Sequence, residues 1–183
     1  MVTKYEREYF AKTGYHDYRD YDAHQKRVEK MILIAKPTSV LDCGCAYGFI
    51  VRRLLDLGIY AVGIDISSWC EKMSKNIIPN NFIRHDLRQP FPFRDKEFDL
   101  IYCEGVLEHI GEEHIPVIMK EFDRVSWERI IQVSFSNHKN VAETEGHVCL
   151  KDNGWWASVI PKYTWLAFQE ASIENNELWI YKA

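Results

Sequence analysis

Short apolar segments typical of strands alternate with amphipathic segments typical of helices along this chain, and this alternation constrains the fold most strongly. Helices are predicted over Ala23–Ala35, Tyr47–Leu57 and Glu112–Val125. A fourth helix is capped by Ser67 or Ser68 and reaches about Asn76, and a fifth lies between Asp152 and Pro161. Strands are predicted at Ser39–Cys43, YAVGIDIS, NFIRHDL, EFDLIYCEG and RIIQVSFS. Strands that alternate with helices form a mostly parallel sheet with helices on both faces.

Two further strands, YTWLAFQEA and ELWIYKA, are predicted near residue 183 as an antiparallel hairpin at the edge of the sheet. We therefore expect an α/β fold, a Rossmann-like three-layer sandwich with seven strands. A length of 183 residues is ordinary for one domain. We expect a single domain over residues 1–183, divided into an N-terminal helical arm (1–36) and a core (37–183).

The stretch VLDCGCAYGFIVRRLLDLG, from Val40 to Gly58, has the outline of a strand, a glycine-bearing turn and a helix, which often opens a nucleotide site. The dinucleotide fingerprint G-x-G-x-x-G, aligned on Gly44, would place Ala46 and Phe49 at its second and third glycines. Phe49 is too large for the close packing of helix on strand that the third glycine allows. The stretch also lacks the lysine and hydroxyl of a phosphate loop, so neither phosphate motif fits and a nicotinamide dehydrogenase is disfavoured.

The amino-acid composition limits which classes of partner this chain is expected to bind. A net charge of -4 and a pI near 6.0 provide no basic surface for nucleic acid or an anionic membrane, so neither partner is expected. The cysteine count, five, is odd, and no signal peptide or long apolar run is evident, which predicts a reducing, cytoplasmic setting. Cys43 and Cys45 have no second pair of ligands at readable spacing, so no metal site is expected.

Acidic residues stand at or near the ends of four successive predicted strands: Asp42, Asp65, Asp86 and Glu104. In a sheet of this kind, the ligand lies outside the carboxyl ends of the strands. Four carboxylates there would repel a pyrophosphate and need a cationic or hydroxyl-rich ligand. S-adenosylmethionine, which carries a sulfonium, an ammonium and a ribose diol, suits that charge. The alternatives are that Gly44 serves only a tight turn, that Asp65 only caps a helix and that Asp86 is an ordinary loop residue.

These segments resemble a known family. VLDCGCAYG resembles the glycine-rich first motif of class I S-adenosylmethionine-dependent methyltransferases, VGIDIS their acidic second strand, and RHDL and FDLIYCEGVLEHI their third and fourth motifs. The resemblance covers Val40–Val133 motif by motif and extends more weakly to Ala183. GVLEHI resembles the branch that acts on small molecules, and the N-P-P-Y motif of enzymes that methylate planar amino groups is absent from the end of the fourth strand.

The resemblance implies a role for each motif position. Gly44 and Gly48 would let the backbone approach the methionyl part, and Asp65 would bind the ribose hydroxyls. Asp86, with the backbone of Leu87, would meet the adenine. The methionyl ammonium and sulfonium would lie near two acids, Asp42 and Glu104. The cofactor-binding set also includes two neighbours of these motif positions, Cys45 and Ile66.

If the acceptor is a hydroxyl, a base must take its proton, and the candidates are His147 and His109, with His138 as a third possibility. For His109 the alternative is a local hydrogen bond that fixes its loop. Tyrosines set among charges in the N-terminal arm favour a lid over cofactor and acceptor, against an arm that merely covers the sheet edge. Trp155 and Trp156 are predicted either to dock a helix into the core or to line the acceptor pocket.

The function expected from these features is methyl transfer from S-adenosylmethionine to a small acceptor such as a sugar, a natural product or a metabolite. A protein side chain as acceptor stays open, as does the oligomeric state. Two rival functions remain: a catalytically silent partner subunit that keeps the cofactor site, and an aminopropyltransferase on the same fold. Against the second, the sequence shows no acidic polyamine pocket beyond the cofactor carboxylates.

Overall fold

The computed structural model describes residues 4–12, 18–134, 146–160 and 177–182. Its helices are α1 (Arg7–Lys12), α2 (Asp22–Ala35), α3 (Phe49–Asp56), α4 (Ser68–Ser74), α5 (Ile115–Val125) and α6 (Asn153–Val159). Its strands are β1 (Ser39–Cys43), β2 (Tyr60–Asp65), β3 (Phe82–Arg84), β4 (Phe98–Glu104), β5 (Ser126–Ser134) and β6 (Glu177–Lys182). The strands form one sheet in the order β3-β2-β1-β4-β5-β6. The first five strands run parallel, and β6 pairs antiparallel with β5.

The sheet differs from the expectation in its strand count. The described residues contain six strands rather than seven, because the predicted strand YTWLAFQEA, residues 163–171, lies outside them. The edge hairpin is therefore not shown, although its second strand is present as β6. Strand β5 begins at Ser126, three residues before the predicted start. It follows α5 directly, and the Ser126 hydroxyl donates to the Phe122 carbonyl at the end of that helix (3.0 Å).

Alternating strand residues build two hydrophobic clusters, one on each face of the sheet. Leu41 and Cys43 of β1 pack in a cluster with residues of α5 and α6. Val40 of the same strand packs in a second cluster with residues of α2 and α3. Because successive side chains of a strand point to opposite faces, this division places helices on both sides and confirms the three-layer α/β architecture.

Helix α2 belongs to the second of these layers. Its Val28 and Met31 are fully buried in the cluster that also contains Leu54 of α3. Of the predicted arm over residues 1–36, the described part that lies outside this layer is therefore mainly residues 4–12, which we call the α1 segment. Phe10 anchors that segment, since it is 5% exposed and its ring lies 5.2 Å from the ring of Tyr47.

The strand order reverses beside β1, which pairs with β2 on one side and β4 on the other. A crevice opens at such a reversal, outside the carboxyl ends of the strands. The fold thus brings the loops after β1, β2 and β4 to one place. None of the helices in the described part of the chain is long and apolar enough to cross a membrane.

Candidate functional site

A cavity of about 720 Å³ lies at the carboxyl ends of β1, β2 and β4. Its other walls come from the α1 segment, from α2 and from residues 147–148. Ligand sites for small molecules typically enclose about 300–1,000 Å³, so this cavity has the size of one. Ten of the eleven predicted site residues line it: Asp42, Gly44, Cys45, Asp65, Ile66, Asp86, Leu87, Glu104, His109 and His147.

Gly48, the remaining predicted residue, is not among the lining residues. It precedes the first residue of α3 with a φ of 89°, a left-handed conformation that favours glycine. A Cβ at this position would lie 2.2 Å from Cδ1 of Ile78. Glycine is therefore required at position 48 so that the chain can turn tightly into α3.

Gly44 forms the wall of the cavity directly after β1. Its φ is 79°, and its amide donates to the Ile64 carbonyl of the neighbouring strand (2.8 Å). A Cβ on Gly44 would lie 2.2 Å from a methyl carbon of Val106, in the loop after β4. Glycine is thus required both by the turn and by the close approach of the two loops that follow β1 and β4.

Asp65 ends β2 and joins two loops through its carboxylate. Oδ2 accepts the Ala46 amide (3.0 Å) and Oδ1 accepts the Ser67 amide (2.9 Å). Burial raises its pKa to about 6, although the backbone amides that donate to it act in the opposite direction. The helix-capping role considered for Asp65 belongs to Ser67, whose side chain accepts the Cys70 amide at the start of α4.

An acidic pair occupies the floor of the cavity. Asp42 is 4% exposed, and burial, followed by the charges of Glu104 and Asp65, raises its pKa well above the ordinary range. Glu104 accepts a hydrogen bond from the Tyr102 hydroxyl (2.6 Å) and forms an ion pair with Arg27 of α2 (2.5 Å). Sequence reasoning missed Tyr102 and Arg27. The only signal for Arg27 was general: an acid at a buried strand end calls for a positive partner.

Asp86 follows β3 and is bound by the guanidinium of Arg88, whose Nη2 lies 2.6 Å from Oδ2. Burial alone would raise the pKa of Asp86, but the hydrogen bonds and charge of Arg88 outweigh it and lower that pKa. Asp86 therefore stays ionised in the cavity wall beside Leu87, which is 6% exposed. Arg88 is a second basic residue that the sequence analysis did not select.

The two predicted histidine bases lie together on the side of the cavity away from β2. The rings of His109 and His147 are 4.6 Å apart between centroids. Tyr5 and Tyr9 of the α1 segment present their rings to His109 at 5.5 and 6.3 Å. Burial, and then the neighbouring His147, lower the pKa of His109 to about 4, so its ring is neutral over most of the pH range.

The other predicted acceptor residues lie elsewhere. Trp156 is fully buried in the core on the α5 and α6 side of the sheet, and Trp155 packs against the same cluster. Neither tryptophan lines the cavity, so the interpretation of α6 as a helix docked into the core fits both. His138 lies outside the described residues. The five cysteines are free and buried.

Comparison with known proteins connects this geometry to a family. Residues 41–127, which include the Gly44 turn and all four acidic positions, match the family model described as a methyltransferase domain. These residues carry a methyltransferase domain, and S-adenosylmethionine-dependent methyltransferases are among the solved structures that share its fold. The domain shares its fold with the PH0226 protein from Pyrococcus horikoshii OT3, at 20% identity, a TM-score of 0.73 and coverage of 96% of this chain and 97% of the other.

Two further relatives share parts of the domain. A SAM-dependent methyltransferase from Archaeoglobus fulgidus is 21% identical with a TM-score of 0.52, and covers 62% of this chain and 53% of that one. The tRNA U34 carboxymethyltransferase of Nautilia profundicola is 38% identical over 77 residues, which is 38% of this chain. The chain matches a quarter (25%) of the length of that curated relative.

S-adenosylmethionine is the cofactor of a methyltransferase domain of this class, and the cavity fits it. The acids on the floor of the cavity support this fit: burial, and then the charges of Glu104 and Asp65, make ionisation of Asp42 costly, and a ligand with positive charge offsets that cost. A ligand with a pyrophosphate would add to the repulsion instead. Arg27 adds a cation beside Glu104, which suits a ligand that carries both an ammonium and a carboxylate.

Proposed function

We propose that this chain transfers the methyl group of S-adenosylmethionine to a small acceptor bound between the core and the α1 segment. The observation that carries the proposal is the meeting of Asp42, Asp65 and Glu104 at one cavity with the Gly44 turn. Buried acids are costly to a fold unless positive charge offsets them; Arg27 pairs with Glu104, and a cationic ligand would offset the remaining cost.

The proposed cofactor contacts follow the motif positions. Asp65 accepts hydrogen bonds from the ribose hydroxyls, and Asp86, Leu87 and Ile66 surround the adenine. Asp42 and Glu104 face the methionyl ammonium and sulfonium. The backbone of Gly44 and Cys45 approaches the methionyl part, and Gly48 holds the turn behind them. To these we add Arg27, whose guanidinium lies beside Glu104 and is placed to bind the methionyl carboxylate.

When bound, S-adenosylmethionine supplies a methyl group that is already activated by a positively charged sulfur. The residues of this chain then have three tasks: to align the acceptor in line with that methyl group, to exclude water and to hold the acceptor's proton where one leaves. Tyr5 and Tyr9 lie across the histidine side of the cavity and serve the first two. His109 or His147 accepts the proton of a hydroxyl acceptor.

The acceptor is proposed to be compact because the α1 segment crosses the cavity. Lys4 donates to the Gly146 carbonyl (2.7 Å), and Tyr5 reaches the carbonyl of His109 (3.5 Å). These contacts join the α1 segment to the opposite wall of the cavity and narrow the space that an acceptor would occupy. The Nautilia profundicola relative is named for action on tRNA, so RNA is the competing acceptor in the test.

A methyl-transfer screen tests the proposal. Purified protein with S-adenosylmethionine is offered pooled small metabolites and sugar nucleotides in one arm and bulk tRNA in another, with release of S-adenosylhomocysteine as the readout. Release with a small-molecule pool supports the proposal, and release with tRNA alone contradicts its small-acceptor part. Binding of S-adenosylhomocysteine without release in any arm would favour the silent partner subunit, and release of methylthioadenosine from the decarboxylated cofactor would favour an aminopropyltransferase.

A further inference from the structure

The backbone carbonyl of Gly146 accepts hydrogen bonds from two directions. Nζ of Lys4 donates from the α1 segment (2.7 Å), and Nδ1 of His109 donates from the turn after β4 (3.3 Å). A carbonyl oxygen has two lone pairs, so it can hold both donors at once. One oxygen atom thus links the start of the chain, a candidate base and the segment from residue 146 onward.

The second contact fixes which nitrogen of His109 carries the proton. A carbonyl accepts and never donates, so Nδ1 must bear the hydrogen in this bond. In the neutral ring, Nε2 is then left with its lone pair. Because His109 lines the cavity, this is the tautomer in which the ring can take a proton from an acceptor there through Nε2.

The segment that supplies the carbonyl is itself held against the turn of His109. The amides of Val148 and Cys149 both donate to the Glu108 carbonyl (2.9 Å each). The turn of His109 and the segment from residue 146 onward therefore hydrogen-bond to each other in both directions. The Glu108 carbonyl accepts from Val148 and Cys149, and the Gly146 carbonyl accepts from His109. Gly146 has a φ of 77°, a left-handed conformation that favours glycine and that sets the direction of its carbonyl.

The geometry points to Lys4 as a positioning residue: by binding the Gly146 carbonyl, it makes the tautomer of His109 depend on closure of the α1 segment over the cavity. The inference rests on the proposed function only in that His109 acts as the base for methyl transfer. It does not depend on which cofactor or acceptor binds.

The groups that face His109 decide the sign of the expected change. Lys4, Tyr5 and Tyr9 face it from the α1 segment, His147 from residues 146–148, and Glu108 precedes it in the same turn. Burial is the largest cause of the lowered pKa, and the charge of Lys4 lowers it further, whereas the bond to Gly146 raises it. Loss of the Lys4 charge removes one cause of the lowered pKa, so the pKa of His109 rises above about 4, while burial and the neighbouring His147 continue to lower it.

Nuclear magnetic resonance of the histidine side chains in the protein without ligand tests this inference. Nitrogen-15 spectra distinguish a protonated ring nitrogen from one with a lone pair, and His109→Gln assigns the His109 signals. Four proteins are compared over a pH titration: the parent, Lys4→Met, Lys4→Arg and, as an exposed lysine on α5, Lys120→Met.

We expect the parent to show His109 protonated at Nδ1 and titrating well below 6.5. In Lys4→Met, which loses the bond to Gly146 and the lysine charge, both tautomers are populated and the titration moves upward but stays below 6.5, while Lys4→Arg and Lys120→Met match the parent. A parent with the proton on Nε2 would overturn the inference, and so would a Lys4→Met spectrum identical to that of the parent. No cofactor is present, so these results stand apart from any failure of cofactor binding or methyl transfer.

Discussion

At the scale of single residues, Asp65 shows how one side chain serves both the loops and the ligand. Its two oxygens accept the amides of Ala46 and Ser67, so removal of the carboxylate by an alanine would leave two backbone donors without their acceptor. Asparagine keeps one acceptor oxygen and the size of the side chain. The NH2 group of asparagine must still face one of the two backbone amides, so Asp65→Asn disturbs the loops less than alanine does, and a thermal melt of the ligand-free variant measures that cost separately from ligand binding.

We expect Asp65→Asn to weaken S-adenosylhomocysteine binding by ~2 kcal/mol, or about 30-fold, since a charge-assisted bond to a ribose hydroxyl is worth about that much. Isothermal titration calorimetry measures it. The matched control is Asp56→Asn, an exposed aspartate of α3 that pairs with Arg52 and should bind as the parent does. Equal affinity in all three proteins would refute the placement of the ribose at Asp65.

The raised pKa of Asp65 predicts a dependence of stability on pH. Because the folded protein holds this proton more tightly than the unfolded chain, the contribution of Asp65 to stability is present below about pH 4 and is lost as the pH rises through about 6. The loss is on the order of 2–3 kcal/mol. Urea unfolding at pH 4.5 and 7 should show a smaller decline for Asp65→Asn than for the parent. Parallel declines would show that other groups dominate over this range.

His109 leads to a prediction about rate. Neutral imidazole is the form that accepts a proton, and with a pKa of about 4 His109 is neutral from about pH 5 upward. For a hydroxyl acceptor, its contribution to the rate should therefore be complete by pH 5.5, rather than rising near the ordinary value of 6.5. His109→Asn should lower the rate about a hundredfold with little change in cofactor affinity. A parental rate level in His109→Asn would leave His147 or alignment alone to account for catalysis.

At the scale of elements, the α1 segment and α4 are joined by a helix cap that no local sequence pattern indicates. Glu6 accepts from the hydroxyl of Ser68 and the amide of Trp69 at 3.0 Å each, at the start of α4. The guanidinium of Arg7 lies 5.7 Å from the ring of Trp69. Together with the buried ring of Phe10, these contacts hold the α1 segment across the cavity.

Removal of this cap should open the α1 segment. A capping contact is worth about 1 kcal/mol, so Glu6→Ala is expected to raise the open population about fivefold and the rate of proteolytic cleavage near residue 12 in proportion. Glu8→Ala, which changes an exposed glutamate of the same α1 segment, is the matched control. Saturating S-adenosylhomocysteine should slow cleavage in both proteins. Cleavage that is equally fast with and without the ligand would argue against closure over it.

At the scale of the whole molecule, sequence periodicity predicted what depends on neighbours in the chain. The five parallel strands, the Gly44 turn and the acids at or just after the ends of β1, β2, β3 and β4 follow from local pattern and from the rule that parallel strands end at one edge. The pairs Arg27 with Glu104, Glu6 with α4 and Lys4 with Gly146 join residues 62 or more positions apart. No local pattern encodes such pairs, because they depend on how complete elements pack.

The same packing explains the placement of α2. The N-terminal 36 residues show tyrosines among charges and so resemble a surface arm, yet Val28 and Met31 recur at helical spacing and are fully buried. Their burial makes α2 a wall of the core, and Arg27, one residue before Val28, then faces the cavity. Periodicity predicted the helix, but only the packed sheet determines which of its faces meets the ligand.

The charge of the whole cavity yields a last prediction, which concerns ligand selectivity. A ligand that binds only the folded protein stabilises it by about 2.7 kcal/mol at a hundred times its Kd, which for a chain of this size corresponds to a rise in Tm of roughly 5–11 °C. S-adenosylmethionine, with its sulfonium and ammonium, should produce such a rise in a thermal melt. NAD at the same concentration should not, because its pyrophosphate meets the carboxylates of Asp42, Asp65 and Glu104. If NAD raises the Tm as much as S-adenosylmethionine does, these acids do not determine which ligand binds.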